Sequence, residues 1–417
     1  MSVMADLLGT LFERRYRAGA PDGRSLPELS RALVETRAEG TGGALAHALL
    51  DRYAAAGRDE RQDWFRFLAE EMDLDLAALE EALAAFGTDR DARAYRRFAA
   101  LSEPPRQELA RRLNQVQGAT AQLVAMRADL LSMLGEDPAL ARVDLDFRHL
   151  FKSWFNRGFL VLRPITWESP AHILEKIIAY EAVHAIDSWD DLRRRLEPED
   201  RRCFAFFHPA MPDEPLIFVE VALLDGVPGS IQALLAAERV EMDPAQATTA
   251  AFYSISNCQA GLAGISFGNF LIKQVVRDLQ RELPQISNFV TLSPLPGLKG
   301  WVAEAGLDWP EAPEAQRALA AHYLTQVKGR GAGPRDPVAR FHLGNGALIH
   351  ALHAAADLSE NGRAQSGGVM VNYLYDLDRI TDNHTAYASD ARIVTTRDVA
   401  ALAKRAPAAD LKEKTEI

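Results

Sequence analysis

Residues 251–284 read AFYSISNCQAGLAGISFGNFLIKQVVRDLQRELP, and three kinds of local structure follow one another along them. The aromatic and β-branched start predicts a strand ending near Ser256. Gly261, Gly264 and Gly268 then mark a loop. From there the apolar residues Ile272, Val275, Val276, Leu279 and Leu283 recur at helical spacing, with Lys273, Arg277 and Arg281 on the opposite stripe. Pro284 cannot continue that helix. Strand, glycine loop and helix N-terminus together make an anion site, because glycines let backbone N–H groups approach a phosphate and the helix dipole adds positive potential. The glycine spacing matches neither the dinucleotide fingerprint nor a Walker loop. Residues 264–268 spell Gly-Ile-Ser-Phe-Gly, the nucleophile-elbow pattern with Ser266 in the serine position. An elbow needs that serine on a sharp turn directly between strand and helix, and here Asn257 to Ala263 intervene.

Downstream and upstream of this stretch, further strand-like runs occur at 203–208, 215–224, 287–292 and 369–375. The proline-rich segment 209–215 joins the first two as a hairpin turn. Strands mixed with helices in this order predict an α+β or α/β domain with a mixed sheet over residues 151–417. Residues 1–150 read instead as successive helices. In 106–134, Leu109, Leu113, Val116, Leu123, Leu130 and Leu134 predict the seam of one long helix, interrupted by Thr120 and Arg127. No His/Cys/Asp cluster with ligand spacing stands out there, and the expectation is a structural or oligomerising helical domain.

The 417 residues are 48% hydrophobic and 25% charged, the profile of a soluble globular chain with room for two domains. No apolar run approaches the roughly 20 residues of a membrane-spanning helix. The N-terminus shows no secretory pattern, and Lys-Thr-Glu-Ile at the C-terminus is not a peroxisomal tail. Only Cys203 and Cys258 occur, which excludes a disulfide framework and fits a reducing, cytoplasmic setting. A net charge of −11 argues against a nucleic-acid partner, but a few local basic groups suffice for an anionic small molecule.

The central run FYSISNCQAGLAGISFGNFLIKQVVRDLQRELP with NFVTLSPLPG resembles the central block of the malonyl-CoA decarboxylase family. PVARFHLGNGA and GGVMVNYLYDL resemble its C-terminal blocks. The stretch from Gly158-Phe159-Leu160 through Glu181-Ala182-Val183-His184 to Arg201-Arg202-Cys203 resembles the start of its catalytic domain. Together these cover about 155–390. The resemblance implies an α+β chain, with an N-terminal all-α helical domain followed by a GNAT-type acyltransferase-like domain with a mixed β-sheet. It implies that Ala263, Gly264, Ile265, Ser266, Phe267, Gly268 and Asn269 bind the CoA pyrophosphate. Animal members carry a glutamate where Ser266 stands, so a phosphate site here would rest on backbone groups rather than that side chain.

The resemblance also implies catalytic roles for Ser293, in Thr-Leu-Ser-Pro, and His342, in Arg-Phe-His-Leu-Gly, and it brings Tyr375 toward the thioester end. On residue type alone, a serine before proline at a strand end is a turn or cap residue, and a histidine beside a glycine turn is structural. The implied activity is conversion of malonyl-CoA to acetyl-CoA and CO2. It requires no metal or separate cofactor, because the thioester delocalises the enolate charge and CoA belongs to the substrate. A homo-oligomer (dimer or tetramer) is expected, with no membrane or nucleic-acid partner. Two other reaction classes compete. A GNAT-type acyltransferase would share the CoA loop but not need the Ser293/His342 pair, and an α/β-hydrolase thioesterase would use Ser266. A CoA-binding scaffold without activity is a third reading.

Overall fold

The computed structural model describes residues 22–265, 271–329 and 331–406. Two compact units form. One holds the chain up to Ser153 together with Ala260–Gly264, and the other holds Trp154–Gln259 and the chain from Ile265 onward.

The first unit contains eight described α-helices: α1 (Leu26–Glu35), α2 (Glu39–Ala55), α3 (Arg58–Glu70), α4 (Leu76–Asp89), α5 (Ala92–Leu101), α6 (Pro105–Leu113), α7 (Ala119–Met133) and α8 (Ala141–Trp154). Their starts are locally encoded. Ser25 and Glu28 form a capping box, and Asp75 and Asp91 cap α4 and α5. The single long helix expected over 106–134 is two helices instead. It breaks at Asn114–Gly118, where Gly118 adopts φ 77°, a left-handed conformation that ends helical propagation. The expected seam is nevertheless apolar and hidden. Leu109, Leu113, Val116, Leu123 and Leu130 are buried inside the unit itself, so these side chains are not a free surface for self-association.

Arg127, one of the two polar interruptions of that seam, is buried at 1% exposure. Its Nε donates to Asp144 at 2.7 Å, while Nη1 donates to the carbonyls of Gly261 and Ala263 at 2.7 and 2.9 Å. The other, Thr120, donates to Asn114 Oδ1 at 2.8 Å across the helix break. Both polar residues are therefore satisfied, as buried polar groups must be.

The second unit is built on an eight-stranded mixed sheet: β1 (Val161–Ile165), β2 (Arg201–His208), β3 (Met211–Leu224), β4 (Thr249–Asn257), β5 (Asn288–Thr291), β6 (Ser293–Pro294), β7 (Leu348–His353) and β8 (Met370–Leu374). Its order is β1-β2-β3-β4-β5-β8-β6, with β7 also on β8. The helices are α9 (Ala171–Tyr180), α10 (Trp189–Leu196), α11 (Ile231–Leu235), α12 (Leu271–Glu282), α13 (Leu298–Glu304), α14 (Pro313–Gln326), α15 (Pro337–Gly344), α16 (Glu360–Ser366), α17 (Ile380–Asp390) and α18 (Arg397–Arg405). A helical region followed by this mixed sheet is the α+β architecture that the resemblance implied.

Period-two alternation along β3 sorts its side chains between two faces. Ile217, Val219, Val221 and Leu223 join a core with the α12 stripe, and Phe218 packs on the other face with residues of α9 and α10. The turn between β2 and β3 is shorter than expected. Met211–Pro215 already belongs to β3, and the prolines are accommodated at register shifts opposite Phe206–His208.

β1 to β4 are antiparallel neighbours, whereas β4 and β5 are parallel and pair only from Thr249↔Asn288 to Phe252↔Thr291. β4 continues to Asn257 paired with β3 alone, so the sheet opens between β4 and β5 beyond Phe252. Strands β1, β6 and β7 had no clear signal in the sequence. β6 has two residues, and β7 reads LIHALH with two histidines breaking its apolar run.

Candidate active site

Ser293 stands just beyond the end of β5, where Leu292 N–H still bonds to Phe252 O at 2.9 Å and β6 turns to pair with β8. His342 lies in the last turn of α15. That helix starts on Pro337, with Asp336 as N-cap accepting from Ala339 N–H at 2.8 Å. Asp336 is fully buried, and burial pushes its carboxyl up to about 6. Tyr375 follows β8 and is held by its own N–H on Phe289 O at 2.8 Å. Three segments distant in sequence thus converge on one point.

The structure brings Ser293, His342 and Tyr375 together. Ser293 Oγ is 3.3 Å from His342 Nε2, and His342 Nδ1 is 2.7 Å from the Tyr375 hydroxyl. Tyr373 stacks on the imidazole with centroids 4.5 Å apart, and Phe341 meets it edge-on. Burial alone lowers the His342 pKa to about 3 and pushes the Tyr375 phenol well above its usual range. The imidazole is therefore neutral, with one nitrogen a donor and the other an acceptor.

Thr291 decides which nitrogen is which. The Ser293 hydroxyl donates to Thr291 Oγ1 at 2.8 Å, and the same Oγ1 accepts from Tyr373 N–H at 3.2 Å. Having spent its proton on Thr291, Ser293 can only accept from His342, which places the imidazole proton on Nε2. Nδ1 must then accept from the Tyr375 hydroxyl. Asn372 fixes the strand ends behind this chain, its amide donating to Thr291 O at 2.8 Å and to Pro228 O at 3.1 Å. Neither Thr291 nor Asn372 was singled out from the sequence. The available signal was positional, since Thr291 lies two residues before Ser293 and so on the same side of an extended chain.

Of the loop residues expected to bind pyrophosphate, Ala263, Gly264 and Ile265 are described, while Ser266, Phe267, Gly268 and Asn269 lie outside the described residues. The chain leaves β4 at Asn257, makes a 3-10 turn at Ala260–Leu262, and passes Gly264 at φ 72°. That conformation strains any residue but glycine. A Cβ on Gly261 would lie 1.8 Å from the Val124 carbonyl oxygen, so glycine is required there by close approach. Strand and helix are thus separated by a structured turn, and the sheet is not the mostly parallel sheet of an α/β-hydrolase, so the fold does not support the elbow reading of Ser266. Among the described residues no cluster of three or more His, Cys, Asp or Glu could hold a metal ion.

Residues 158–316 and 310–414 match the malonyl-CoA decarboxylase C-terminal domain, and residues 73–155 match the malonyl-CoA decarboxylase N-terminal domain. The mitochondrial malonyl-CoA decarboxylase of Anser anser anser is 35% identical over 348 residues, covering 71% of this chain and 69% of that one. Its Rattus norvegicus counterpart is 33% identical over 70% of this chain and 69% of its own length. Among solved structures, the malonyl-CoA decarboxylase of Rhodopseudomonas palustris superposes with a TM-score of 0.85 at 49% identity, over 90% of this chain and 98% of that one. That of Agrobacterium vitis superposes with a TM-score of 0.85 at 45% identity, over 90% and 99%.

Proposed function

The chain belongs to the malonyl-CoA decarboxylase family, and from that premise we propose that Ser293, His342 and Tyr375 carry the conversion of malonyl-CoA to acetyl-CoA and CO2. The observation that supports this most is the buried hydrogen-bond chain in which a neutral His342 is oriented from both sides.

Loss of CO2 breaks the C–C bond and leaves a thioester enolate. A low-dielectric site favours loss of the charged carboxylate. Ser293 and His342 hold the malonyl group so that the breaking bond overlaps the carbonyl π system, and Nε2–H stabilises the developing oxyanion. A fixed donor of this kind typically contributes about 3–4 kcal/mol. The enolate carbon is strongly basic, so a neutral imidazole suffices as its acid. Nε2 gives up its proton to that carbon while the Tyr375 hydroxyl supplies one to Nδ1; one solvent proton then returns to Nε2 and Nδ1 hands its proton back to the tyrosine oxygen, which regenerates both groups. The net change is malonyl-CoA plus one proton to acetyl-CoA plus CO2. The CoA pyrophosphate lies on the loop that begins at Ala263, Gly264 and Ile265, where backbone N–H groups rather than a side chain receive it.

The geometry also weighs against a serine nucleophile. An activated serine donates to its histidine, whereas Ser293 donates to Thr291. Incubation with malonyl-CoA and no acceptor, followed by mass spectrometry, tests the reading, and the expected products are acetyl-CoA and CO2. His342→Ala and Ser293→Ala should each lower turnover by about 10²–10⁴-fold while CoA still binds. Near-normal turnover in either variant, or free CoA and malonate as products, would sink the assignment.

A further inference from the structure

The ladder between β8 and the segment that carries Ser293 has a gap. Val290 pairs with Leu374 and Ser293 with Val371, whereas Thr291 and Leu292 between them have no strand partner on β8. Side chains close the gap. Tyr373 N–H donates to Thr291 Oγ1 at 3.2 Å, and the Asn372 amide donates to Thr291 O at 2.8 Å. Thr291 and Asn372 are both fully buried. The threonine that receives the Ser293 proton is thus held by two residues of β8 through these contacts rather than by ordinary strand pairing.

Asn372 is held in turn by a half-buried histidine that the decarboxylation chemistry does not use. β7 sets Ala351 opposite Asn372 and His353 opposite Met370, so His353 is the diagonal neighbour of Asn372 on the same face. That face is turned away from His342. Tyr373, the next residue of β8, stacks on the imidazole, and alternation along the strand sends Asn372 to the other side. His353 Nε2 lies 2.5 Å from Asn372 Oδ1. Both amide hydrogens of Asn372 are engaged, one on Thr291 O and one on Pro228 O, and its oxygen can only accept. His353 therefore donates from Nε2. Its ring is wedged between that amide and Gly229, where an added Cβ would lie 2.9 Å from Nδ1. Loss of the His353 donor leaves a buried oxygen unpaired, and the amide loses the contact that fixes which of its ends faces Thr291.

We propose that His353 is a positioning residue for the reaction: through Asn372 and Thr291, from the opposite face of the sheet, it sets the direction of the Ser293 hydroxyl and so the tautomer of His342. The inference rests on the assignment of Ser293 and His342 as the reacting pair.

Steady-state rates on malonyl-CoA and nitrogen-15 NMR of His342, both on the full chain, test it. His353→Leu removes the donor and should lower kcat about 3- to 10-fold, the contribution of one neutral hydrogen bond, with KM for malonyl-CoA unchanged. His342, protonated on Nε2 in the parent, should then show both tautomers. His353→Gln sets an amide N–H where Nε2 stands and should restore both readings. Gly229→Ala keeps the histidine but pushes its ring off Asn372, and it should lower kcat as His353→Leu does. The two changes combined should cost no more than either alone, because both break the same contact. Parent kcat in His353→Leu overturns the proposal, as does a loss of kcat with His342 still wholly on Nε2 or one that His353→Gln does not restore. If His353→Leu does not fold, parent kcat in Gly229→Ala overturns it. The NMR comparison needs no turnover, so a parent chain that releases no CO2 would overturn the decarboxylase reading and leave this one to stand or fall on the spectrum.

Discussion

At the scale of single residues, the candidate site depends on where one proton sits. His342 has two hydrogen-bond partners and no charged neighbour shifting its ionisation, so its tautomer follows from the direction of the Ser293 hydroxyl. Thr291→Val removes the acceptor that fixes that direction. The freed hydroxyl then turns to Nε2, and the proton moves to Nδ1. Nitrogen-15 NMR of His342 should show a protonated Nε2 in the parent and a protonated Nδ1 in Thr291→Val, with turnover falling in parallel and Thr291→Ser retaining both properties. A parent already protonated on Nδ1 would contradict the argument. The variant also orphans the Tyr373 N–H at a penalty of about 1–3 kcal/mol, so its thermal midpoint should drop.

The same burial makes a prediction about acid. An unfolded histidine titrates near 6.5 and His342 in the folded chain near 3, so between those values the unfolded state holds the extra proton. Stability therefore falls as pH is lowered through that window. His184, lowered to about 4 by burial, acts in the same direction. His342→Gln lacks this dependence at position 342. The difference in unfolding free energy between parent and variant should thus shrink as pH falls from 6.5 toward 4 in urea titrations. A constant difference would mean that His342 is not buried neutral.

At the scale of elements, legibility followed how local the determining physics is. The apolar stripe of α12 and the aromatic, β-branched run of β4 were readable because each encodes one buried face at its own period. The glycine loop was readable as a turn between strand and helix, although its conformation at Gly261 depends on the Val124 carbonyl, which no nearby residue announces. The break between α6 and α7 was missed because the leucine spacing runs through it unaltered, while Gly118 alone reverses the backbone. β7 and the two-residue β6 were missed because partners far along the chain define them. Ser293, His342 and Tyr375 came from family resemblance. Residue type and spacing could not bring together a strand end, a helix end and a second strand end, whereas Thr291 becomes visible only when the hydrogen bonds are followed.

At the scale of the whole molecule, the first unit is not a continuous stretch of chain. A boundary drawn at residue 150 treats the helices as self-sufficient, yet Ala260–Gly264 belongs with them. The reason is specific. Buried Arg127 has donors for three acceptors, and two of these are the carbonyls of Gly261 and Ala263. A fragment ending at Ser153 keeps the Asp144 partner but leaves the Nη1 donor without those carbonyls and uncovers the surface at Val124 on which Gly261 rests. Each orphaned buried donor costs about 1–3 kcal/mol, a large share of the roughly 5–15 kcal/mol that stabilises an ordinary domain. Hydrogen exchange should accordingly be faster at α7 amides in a fragment of residues 22–153 than in the full chain, with the difference largest around Val124 and Arg127. The full chain carrying Arg127→Leu should show the same loosening, made worse because Asp144 then has no counter-ion. Equal α7 protection in the fragment and the full chain would mean that the helices do not need the loop. The loop would then be a passenger on this unit rather than part of what holds it together.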